Sequence, residues 1–263
     1  MIIQDMEQPT KKMDVYLLGD THYPRGKIDK FREILNQIQR NKYGYMIGLG
    51  DWVEGITSSD PRYNPEEAAH IVKCFGDCAN MVSFQWNLFE NDIKELASTG
   101  RILGLHNGNH ESTYTRRNSF NELKNICIRN DIKHLGDGFA MTKLRYKGDL
   151  NNIVTFHGCG GGVTEGFASS KLVSFGKMFP YADVIAIGHT HKLQVVNRAP
   201  LQERDGELKR KKQYLASCGS FLGNFEIGTT SYSERKGYDS LAMGYIVVHI
   251  EKGQITGVES KQL

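Results

Sequence analysis

The sequence has few cysteines, no long apolar run and almost no net charge, and each of these features excludes a class of protein. Its five cysteines are an odd number in 263 residues and follow no disulfide-framework spacing, so we expect reduced thiols in a cytoplasmic protein. The longest apolar stretches, such as residues 245–248, are far shorter than the ~20 residues of a membrane-spanning helix. The first 14 residues mix acidic and basic side chains and have no apolar signal-peptide core. We therefore expect no membrane partner.

The charge and composition are those of an ordinary globular protein. Lys and Arg number 33 against 30 Asp and Glu, which gives a net charge of +3. This balance permits nucleic acid as a partner but falls short of the strongly basic surface of a dedicated nucleic-acid-binding protein. With 39% hydrophobic and 24% charged residues, the chain is neither disordered nor fibrous. Its length is enough to bury a full core in one α/β domain.

The first half of the chain alternates strand-like and helix-like segments. Residues 15–19 and 45–50 are short apolar runs. Asp20 follows the first run and Asp51 follows the second, and both runs predict buried strands. Residues 28–39 between them carry apolar side chains at helical spacing. Strand, helix and strand in this order predict a βαβ unit. A third strand at 101–105 and a helix at 120–129 follow.

A helical insert is predicted between the second and third of these strands, over about residues 56–99. Asn64 suits a helix cap, Pro65 suits the first helical position, and acidic residues follow in the first turn. Helical character continues as far as Ser98, with a break predicted near Gly76 or Asn80.

The second half consists mainly of short strand-like segments. They are residues 139–146, 152–156, 184–187, 193–199, 213–216, 245–250 and 255–258. A helix is predicted at 165–179, and no repeat, low-complexity tract or linker separates the halves. We therefore predict one domain over residues 1–263, of the α/β (α+β sandwich) class. Two facing mixed β-sheets form its centre, with the helices outside.

Five apolar runs are followed directly by side chains of the kind that bind metals. These blocks are Asp20-Thr21-His22, Gly50-Asp51, Gly108-Asn109-His110-Glu111, His157-Gly158 and Gly188-His189-Thr190-His191. Residues two apart in an extended chain point to the same side, so Asp20 with His22 and His189 with His191 are expected to converge as pairs. Strand ends in an α/β sheet open into a common crevice. Any one block alone is more often a turn with a surface histidine; five in order predict a metal site.

The number of ligands indicates two metal ions. Seven side chains offer oxygen or imidazole nitrogen, which is too many for one tetrahedral ion: Asp20, His22, Asp51, Asn109, His157, His189 and His191. They suit two divalent cations that share a carboxylate. A donor set of this kind favours Mn, Fe, Zn or Ni over a thiolate site or a Ca²⁺ cage. Two such cations ~3.5–4 Å apart form the clamp used for in-line phosphoryl displacement.

In this order the five blocks resemble the signature of the calcineurin-like metallophosphoesterase superfamily, over residues 20–191. The resemblance implies a four-layer sandwich of two sheets with flanking helices, and a hydroxide bridging the two metals as nucleophile. It implies that Asp51 bridges the metals. The resemblance assigns one metal to Asp20, His22, Asp51 and His191, and the other to Asp51, Asn109, His157 and His189.

The resemblance also implies a catalytic role for His110, as a proton donor or charge stabiliser at the leaving-group oxygen. The protein Ser/Thr phosphatases of the superfamily carry an acidic residue three positions after the bridging Asp, and Glu54 stands there in this sequence. We hypothesise that Glu54 supports His110; the alternative is a solvated loop residue. Those phosphatases follow the acid with an Arg that grips phosphate, whereas this sequence has Gly55. The chain therefore does not resemble that branch.

Two basic segments are candidates for binding the substrate. Arg116 and Arg117 follow the Gly-Asn-His-Glu block and are candidate phosphate ligands, since Arg binds phosphate with two parallel hydrogen bonds; the alternative is a solvated helix entrance. Lys209-Arg210-Lys211-Lys212 follows the turn signal Asp205-Gly206. It predicts a solvated hairpin arm, which would recruit a polyanion if it overhangs the crevice.

The sequence predicts a phosphoester hydrolase with two metal ions, manganese being the expected metal. Within that class we predict a phosphodiesterase or nuclease acting on nucleic acid or a nucleotide. A phosphomonoesterase acting on a small metabolite or a phosphoprotein is the alternative, and a non-catalytic binding scaffold is the third hypothesis. No obligate protein partner is indicated.

Overall fold

A computed structural model of the chain describes residues 1–58, 60, 63, 65–76, 82–160, 164–204, 206–223 and 242–263. Its helices in this part of the chain are α1 (Ile28–Arg40), α2 (Pro65–Phe75), α3 (Val82–Ser98), α4 (Asn109–Asn118), α5 (Glu122–Arg129) and α6 (Glu165–Met178). Its strands are β1 (Ile2–Glu7), β2 (Lys12–Leu18), β3 (Gly44–Gly48), β4 (Ile102–His106), β5 (His134–Gly136), β6 (Ala140–Tyr146), β7 (Asp149–Phe156), β8 (Val184–Ile187), β9 (Gln194–Arg198), β10 (Leu201–Arg204), β11 (Glu207–Arg210), β12 (Gln213–Ser217), β13 (Gly244–Glu251) and β14 (Gln254–Gln262).

The strands form two large mixed sheets. Sheet A has the order β1-β6-β7-β8-β12-β9, and sheet B has the order β14-β13-β2-β3-β4-β5. In sheet B, β2, β3, β4 and β5 are parallel, as the βαβ prediction requires, while β13 joins β2 antiparallel. In sheet A, β7, β8 and β12 are parallel. Strands β10 and β11 form a separate antiparallel hairpin.

Buried apolar side chains form three clusters between these elements. Strand β2 shows the pattern: Met13, Val15 and Leu17 pack between the two sheets. The alternate side chains, Tyr16 and Leu18, pack outward against α1, α3 and α5. A third cluster packs α6 on the outer face of sheet A. The predicted sandwich of two facing sheets with helices outside, four layers in all, is confirmed.

The helical segment between β3 and β4 is divided where the sequence indicated a break. Helix α2 begins at Pro65, as predicted, and ends at Phe75. Gly76 follows in a left-handed conformation, with φ of 83°, and α3 begins at Val82. The predicted cap Asn64 and the alternative break at Asn80 lie outside the described residues. No helix in the described part of the chain is both long and apolar enough to cross a membrane.

Candidate metal centre

All seven predicted metal ligands meet at one edge of the sandwich. The blocks containing Asp20, Asp51 and Asn109 follow β2, β3 and β4 of sheet B. The blocks containing His157 and His189 follow β7 and β8 of sheet A. Because the strands within each set are parallel, their carboxyl ends lie at the same edge. The two sheets therefore contribute to the centre together.

The ligand atoms fall into two groups. In the first group, the donor atoms of Asp20, His22 and His191 all lie within 4.8 Å of one another. His191 Nε2 is 3.0 Å from Asp20 Oδ1. Asp20 and His22 are almost completely buried, with 0% and 2% of their surface exposed, so water cannot easily satisfy their polar atoms.

The second group contains Asp51, His157 and His189, whose donor atoms also lie within 4.8 Å of one another. The side-chain oxygen of Asn109 joins them, 2.8 Å from His189 Nδ1 and 3.1 Å from His157 Nε2. Asp51 Oδ2 is 3.3 Å from His157 Nε2 and 4.0 Å from His22 Nε2 of the first group. The carboxylate of Asp51 therefore lies between the two groups.

Backbone carbonyls fix which ring nitrogen of the histidines is free. His157 Nδ1 donates to Leu49 O at 2.8 Å, which leaves Nε2 for the centre. His189 Nε2 donates to Gly160 O at 2.8 Å, which leaves Nδ1. Carbonyl oxygen only accepts hydrogen bonds, so each bonded nitrogen carries the proton. Orientation of this kind by a hydrogen bond is typical of histidines that bind metals.

The ligand pairs converge for a different reason from the one the sequence suggested. Asp20, His22, Asp51, His189 and His191 all have left-handed backbone conformations, with φ between 50° and 64°. They lie beyond the strand ends, so the expectation that an extended chain aligns residues two apart is wrong here. Left-handed conformations are uncommon for residues other than glycine, and each costs on the order of 1–3 kcal/mol. Such a concentration at one edge is characteristic of a functional site.

Two glycines of the blocks permit the close approach of the loops. A Cβ at Gly108 would lie 2.0 Å from Asp51 Oδ1, and one at Gly188 would lie 2.6 Å from Asp20 Oδ2. Any side chain there would displace a carboxylate of the centre. Glycine is therefore required at positions 108 and 188, because only a residue without Cβ fits there.

The chemistry of the donors fits two divalent cations. His22 Nδ1 faces the Glu54 carboxylate at 3.4 Å, but its Nε2 has no hydrogen-bond partner in the described part of the chain. A buried unpaired polar group is costly unless a ligand satisfies it. Burial lowers the pKa of His22, which favours the neutral ring that binds metals. Burial alone would raise the pKa of Asp51, but the charges of His157 and His110 outweigh it and hold that pKa well below its usual range. The carboxylate is therefore ionised.

His110 and Glu54 lie beside the first group. His110 Nδ1 donates to the backbone carbonyl of Glu54 at 2.7 Å, so its Nε2 is the nitrogen left available. The side chain of Glu54 is only 5% exposed; its carboxylate is 3.7 Å from His110 Nδ1 and 3.4 Å from His22 Nδ1. Burial raises the pKa of Glu54, but His22 and Arg25 outweigh it and lower that pKa. The alternative of a solvated loop residue is therefore wrong for Glu54.

Glu111 has a role that sequence reasoning missed. Its carboxylate accepts four backbone hydrogen bonds, from Gly108 at 2.6 Å, Asp51 at 2.9 Å, Trp52 at 2.8 Å and Val53 at 3.1 Å. It therefore ties the loop after β3 to the loop after β4. The available signal was the spacing of Gly108 and Glu111, since an acid three residues after a helix cap is typical of a capping box.

The two predicted phosphate-binding arginines lie elsewhere. Arg116 bonds within its own helix, to Ser112 O and Thr113 Oγ1, each at 3.3 Å. Arg117 Nη1 pairs with the buried carboxylate of Asp60 at 2.7 Å. Among the described residues, neither arginine contacts a predicted metal ligand. The arginine next to the site is Arg25, whose Nη1 is 3.4 Å from Glu54 Oε1; sequence reasoning did not single it out.

The predicted basic hairpin is present but does not overhang the centre. Lys209 and Arg210 belong to β11, and Lys211 and Lys212 lead directly into β12. These basic residues precede β12. The far end of β12, at Ser217, pairs with Ile187 at the end of β8. The basic residues therefore lie at the opposite edge of sheet A from the ligand groups. Asp205 of the predicted turn lies outside the described residues.

Similar solved structures include a hypothetical protein from Thermus thermophilus, with 13% identity, 95% of this chain and 99% of that chain covered, and a TM-score of 0.48. Another is Vps29 from Entamoeba histolytica complexed with zinc, with 13% identity, 95% and 98% covered, and a TM-score of 0.41. A third is a metallophosphoesterase from Sphaerobacter thermophilus, with 10% identity, 95% and 88% covered, and a TM-score of 0.38. No curated protein sequence matches the chain.

The sequence itself assigns the family. Residues 13–193 match the sequence model of the calcineurin-like phosphoesterases. The matched region begins in β2 and ends just after His191, so it contains all five blocks and both ligand groups. The chain therefore belongs to the calcineurin-like phosphoesterase family.

Proposed function

We propose that the protein is a phosphoester hydrolase that uses two divalent cations, and that its substrate is a phosphodiester of a nucleic acid or a nucleotide. The observation that carries this proposal is the position of Asp51, whose Oδ2 faces donors of both ligand groups. Membership of the calcineurin-like phosphoesterase family supports the reaction type. The substrate and the number of cations are inferences from the site.

The ligand groups give each cation four donors. One cation would be held by Asp20, His22, Asp51 and His191, and the other by Asp51, Asn109, His157 and His189. Bound cations of this kind lower the pKa of water and stabilise negative charge on phosphate oxygens. Oxygen and imidazole donors suit manganese, and they also accept iron, zinc or nickel.

His110 is the proposed catalytic residue of the chain. Its Nδ1 is occupied by the carbonyl of Glu54, so Nε2 is free to hold a proton for the leaving-group oxygen. Its side chain is 13% exposed, which leaves it accessible to a substrate. The carboxylate of Glu54, beside Nδ1, would stabilise the charged ring and keep its orientation. Positioned acid–base groups of this kind contribute typically 10²- to 10⁴-fold to rate.

The surrounding arginines favour a diester over a monoester. A phosphomonoester carries about two negative charges near neutral pH and a diester carries one, so a monoester needs more cationic neutralisation. Arg116 is bonded to its own helix, Arg117 faces Asp60, and Arg25 faces Glu54. Among the described residues, each of these three arginines is therefore already bonded or paired, which supports a substrate with the single charge of a diester.

The test is a substrate panel with protein reconstituted with Mn²⁺. Its members are cyclic and linear dinucleotides, single- and double-stranded DNA, RNA, bis-p-nitrophenyl phosphate and p-nitrophenyl phosphate. We expect hydrolysis of diesters, with two manganese ions per chain by elemental analysis. His110→Ala is the control: it should keep both ions and lose about 10²-fold or more of the rate.

Two other outcomes of the substrate panel would contradict the proposal. Faster hydrolysis of monoesters than of every diester would overturn the substrate class. A protein that binds two ions and hydrolyses no member of the panel would overturn the hydrolase itself and support a binding scaffold.

A further inference from the structure

A second cavity lies at the edge of the sandwich opposite the metal centre. Its volume is about 580 Å³, and its lining includes Asn152 of β7, Asp183 before β8, Gln202 of β10, and the basic arm, residues 209–212. These segments precede or begin the strands whose far ends carry His157 and His189. Strand β8 alone separates the two edges by four residues, which is about 13 Å of extended chain. The cavity is therefore distinct from the centre.

Cationic side chains dominate the lining, and two of them have no carboxylate partner among the described residues: Arg210, and Lys212, whose Nζ lies over the ring of Tyr214, 4.7 Å from its centroid. Four of the lining residues are Lys or Arg and two are Asp. Lys209 pairs with Glu207 at 3.1 Å and Lys211 with Asp183 at 3.0 Å. Arg210 and Lys212 are exposed and have no carboxylate partner within the described ranges. These two cations are thus available for an anion in the cavity.

Neutral polar groups beside these cations are also unsatisfied. Asn152 donates its amide hydrogen to Tyr181 O at 3.2 Å, and Gln202 donates to Pro180 O at 2.5 Å. Their side-chain oxygens, Asn152 Oδ1 and Gln202 Oε1, have no donor in the described part of the chain. Buried acceptors of this kind are normally paired. Both residues line the cavity, although these two oxygens are themselves closed off from it, so a ligand with N–H or O–H groups would satisfy them only after the amides turn towards it.

An exposed aromatic residue neighbours the lining residues Lys211 and Asn152. Tyr181 is 70% exposed, although its carbonyl is fixed by Lys211 and Asn152. An exposed aromatic ring next to cations is typical of surfaces on which a base stacks. Cations, hydrogen-bond acceptors and an exposed ring together are the groups that a nucleotide requires.

We propose that this cavity is a second ligand site, which binds a phosphorylated ligand of nucleotide size. Arg210 and Lys212 bind its phosphate, and the side-chain oxygens of Asn152 and Gln202 accept hydrogen bonds from its base or sugar. A volume of 580 Å³ falls within the ~300–1,000 Å³ of small-molecule sites. The ligand is either a free nucleotide or one unit of a nucleic-acid strand, since both present the same groups.

The experiment measures binding, so it does not depend on hydrolysis at the metal centre. Full-length protein is titrated calorimetrically with α,β-methylene-ADP, which resists hydrolysis, and with a twelve-residue phosphorothioate thymidine oligonucleotide. The test variant is Arg210→Ala with Lys212→Ala. Its matched control is Lys30→Ala with Lys42→Ala, which removes the same charge at exposed sites on and beside α1. Circular dichroism checks that both are folded, and Arg210→Gln replaces the test variant if it is not.

We expect the test variant to bind at least tenfold more weakly than wild type and the control to bind within twofold of it. The affinity of the wild type should also fall more steeply with salt than that of the test variant, because two phosphate contacts are lost. Tight binding of the methylene nucleotide identifies a free nucleotide; preference for the oligonucleotide identifies a strand. Equal affinity of the test variant and the control would overturn the proposal.

Hydrolysis of bis-p-nitrophenyl phosphate is measured on the same samples. We expect the same rate for wild type and the test variant, because the cavity lies away from the ligand groups. A wild type that hydrolyses nothing would count against the proposed function and leave the binding result standing.

Discussion

At the scale of single residues, Glu111 shows how a carboxylate outside the predicted ligand set can determine the geometry of a predicted metal ligand. Its Oε2 accepts from the N–H groups of Asp51 and Gly108, and its Oε1 accepts from those of Trp52 and Val53. The side chain is 1% exposed, so water cannot replace these bonds. Burial and the nearby charge of Asp51 raise the pKa of Glu111 to about 7. The backbone around the central aspartate therefore depends on this one side chain.

We predict that Glu111→Gln destabilises the fold and weakens metal binding. One oxygen becomes an NH₂ group that faces two backbone donors, so two hydrogen bonds are lost and their donors stay buried. The expected loss is about 3–6 kcal/mol in the free energy of unfolding, since two bonds are lost and each hydrogen bond to a charged group contributes about 1.5–3 kcal/mol. Urea denaturation and Mn²⁺ calorimetry measure the two effects. Glu33→Gln, at a side chain 63% exposed, is the control; equal midpoints for the two variants would contradict the prediction.

Glu54, unlike Glu111, lies beside His110. Its carboxylate lies 3.7 Å from His110 Nδ1, and its backbone carbonyl fixes that nitrogen. Glu54→Gln keeps the carbonyl and the volume but removes the charge. We predict about a tenfold or greater loss of turnover, a part of the roughly 10²- to 10⁴-fold that a positioned acid–base group contributes, with two metals still bound.

The readout for Glu54→Gln is the dependence of turnover on pH. Loss of the carboxylate removes a negative charge 3.7 Å from His110 Nδ1, so the pH profile of the variant should differ from that of wild type. A profile and turnover equal to those of wild type would refute the supporting role of Glu54.

At the scale of secondary structure, β13 is held between β2 and β14 by a histidine that bridges two carboxylates. His249 Nδ1 is 2.7 Å from Asp14 Oδ1 on β2, and its Nε2 is 2.9 Å from Glu259 Oε1 on β14. Burial opposes the charged ring, but the two carboxylates outweigh it and raise the pKa of His249. The three strands are therefore linked most strongly when the ring is protonated.

The direction of the pH effect follows from this raised pKa. The proton is bound more tightly in the folded than in the unfolded state, so its contribution is complete below the unfolded value of about 6.5. It is lost as pH rises through the folded pKa. We predict that His249→Gln loses about 0.5 kcal/mol at pH 5.5, a value typical of a partly exposed ion pair, and almost nothing at pH 9. Urea denaturation at both values measures this; a loss that grows with pH would contradict it.

The elements that sequence could predict are those with a buried apolar pattern. Strands β3 and β8 are buried along their whole length, and α1 buries one face, so hydrophobic periodicity marks them. Strand β1 was not predicted, because it lies at the edge of sheet A and has no fully buried residue. Helix α4 was not predicted either, since Glu111 is its only buried residue. Elements held by polar or edge contacts leave no apolar period to read.

The candidate metal centre likewise has features that the sequence could predict and features that it could not. The meeting of these side chains could be predicted because carboxylate, imidazole and amide groups stand directly after apolar runs. The left-handed conformations of Asp20 and His189 could not, because they depend on loops from the other strands; Asp20 N, for example, donates to Gly50 O at 2.8 Å. Nor could the position of Arg25, which depends on where Glu54 is folded. Contacts across the sandwich require the three-dimensional structure.

At the scale of the whole molecule, the candidate metal centre brings together polar groups from both sheets, which also meet where His106 Nε2 lies 2.9 Å from Thr155 Oγ1. Asp20, Asp51 and Asn109 are carried by sheet B, and His157 and His189 by sheet A. Between the sheets the contacts are otherwise largely apolar. Cations bound at this edge would therefore connect the two halves of the sandwich as well as serve the reaction.

This arrangement predicts that metal binding stabilises the entire fold. A ligand that binds only the folded state adds about 2.7 kcal/mol at a concentration 100 times its Kd. Wild type should therefore unfold at a higher temperature in Mn²⁺ than in EDTA, in one transition if the sheets unfold together. Asp51→Asn should lose most of this increase, since it weakens both ligand groups, whereas His191→Ala, at the first group alone, should lose only part. Asp29→Asn, at a side chain 93% exposed on α1, should keep the full increase. If Asp51→Asn and His191→Ala lose the same amount, Asp51 does not serve two cations, and the two-cation centre is refuted together with the linkage of the sheets through it.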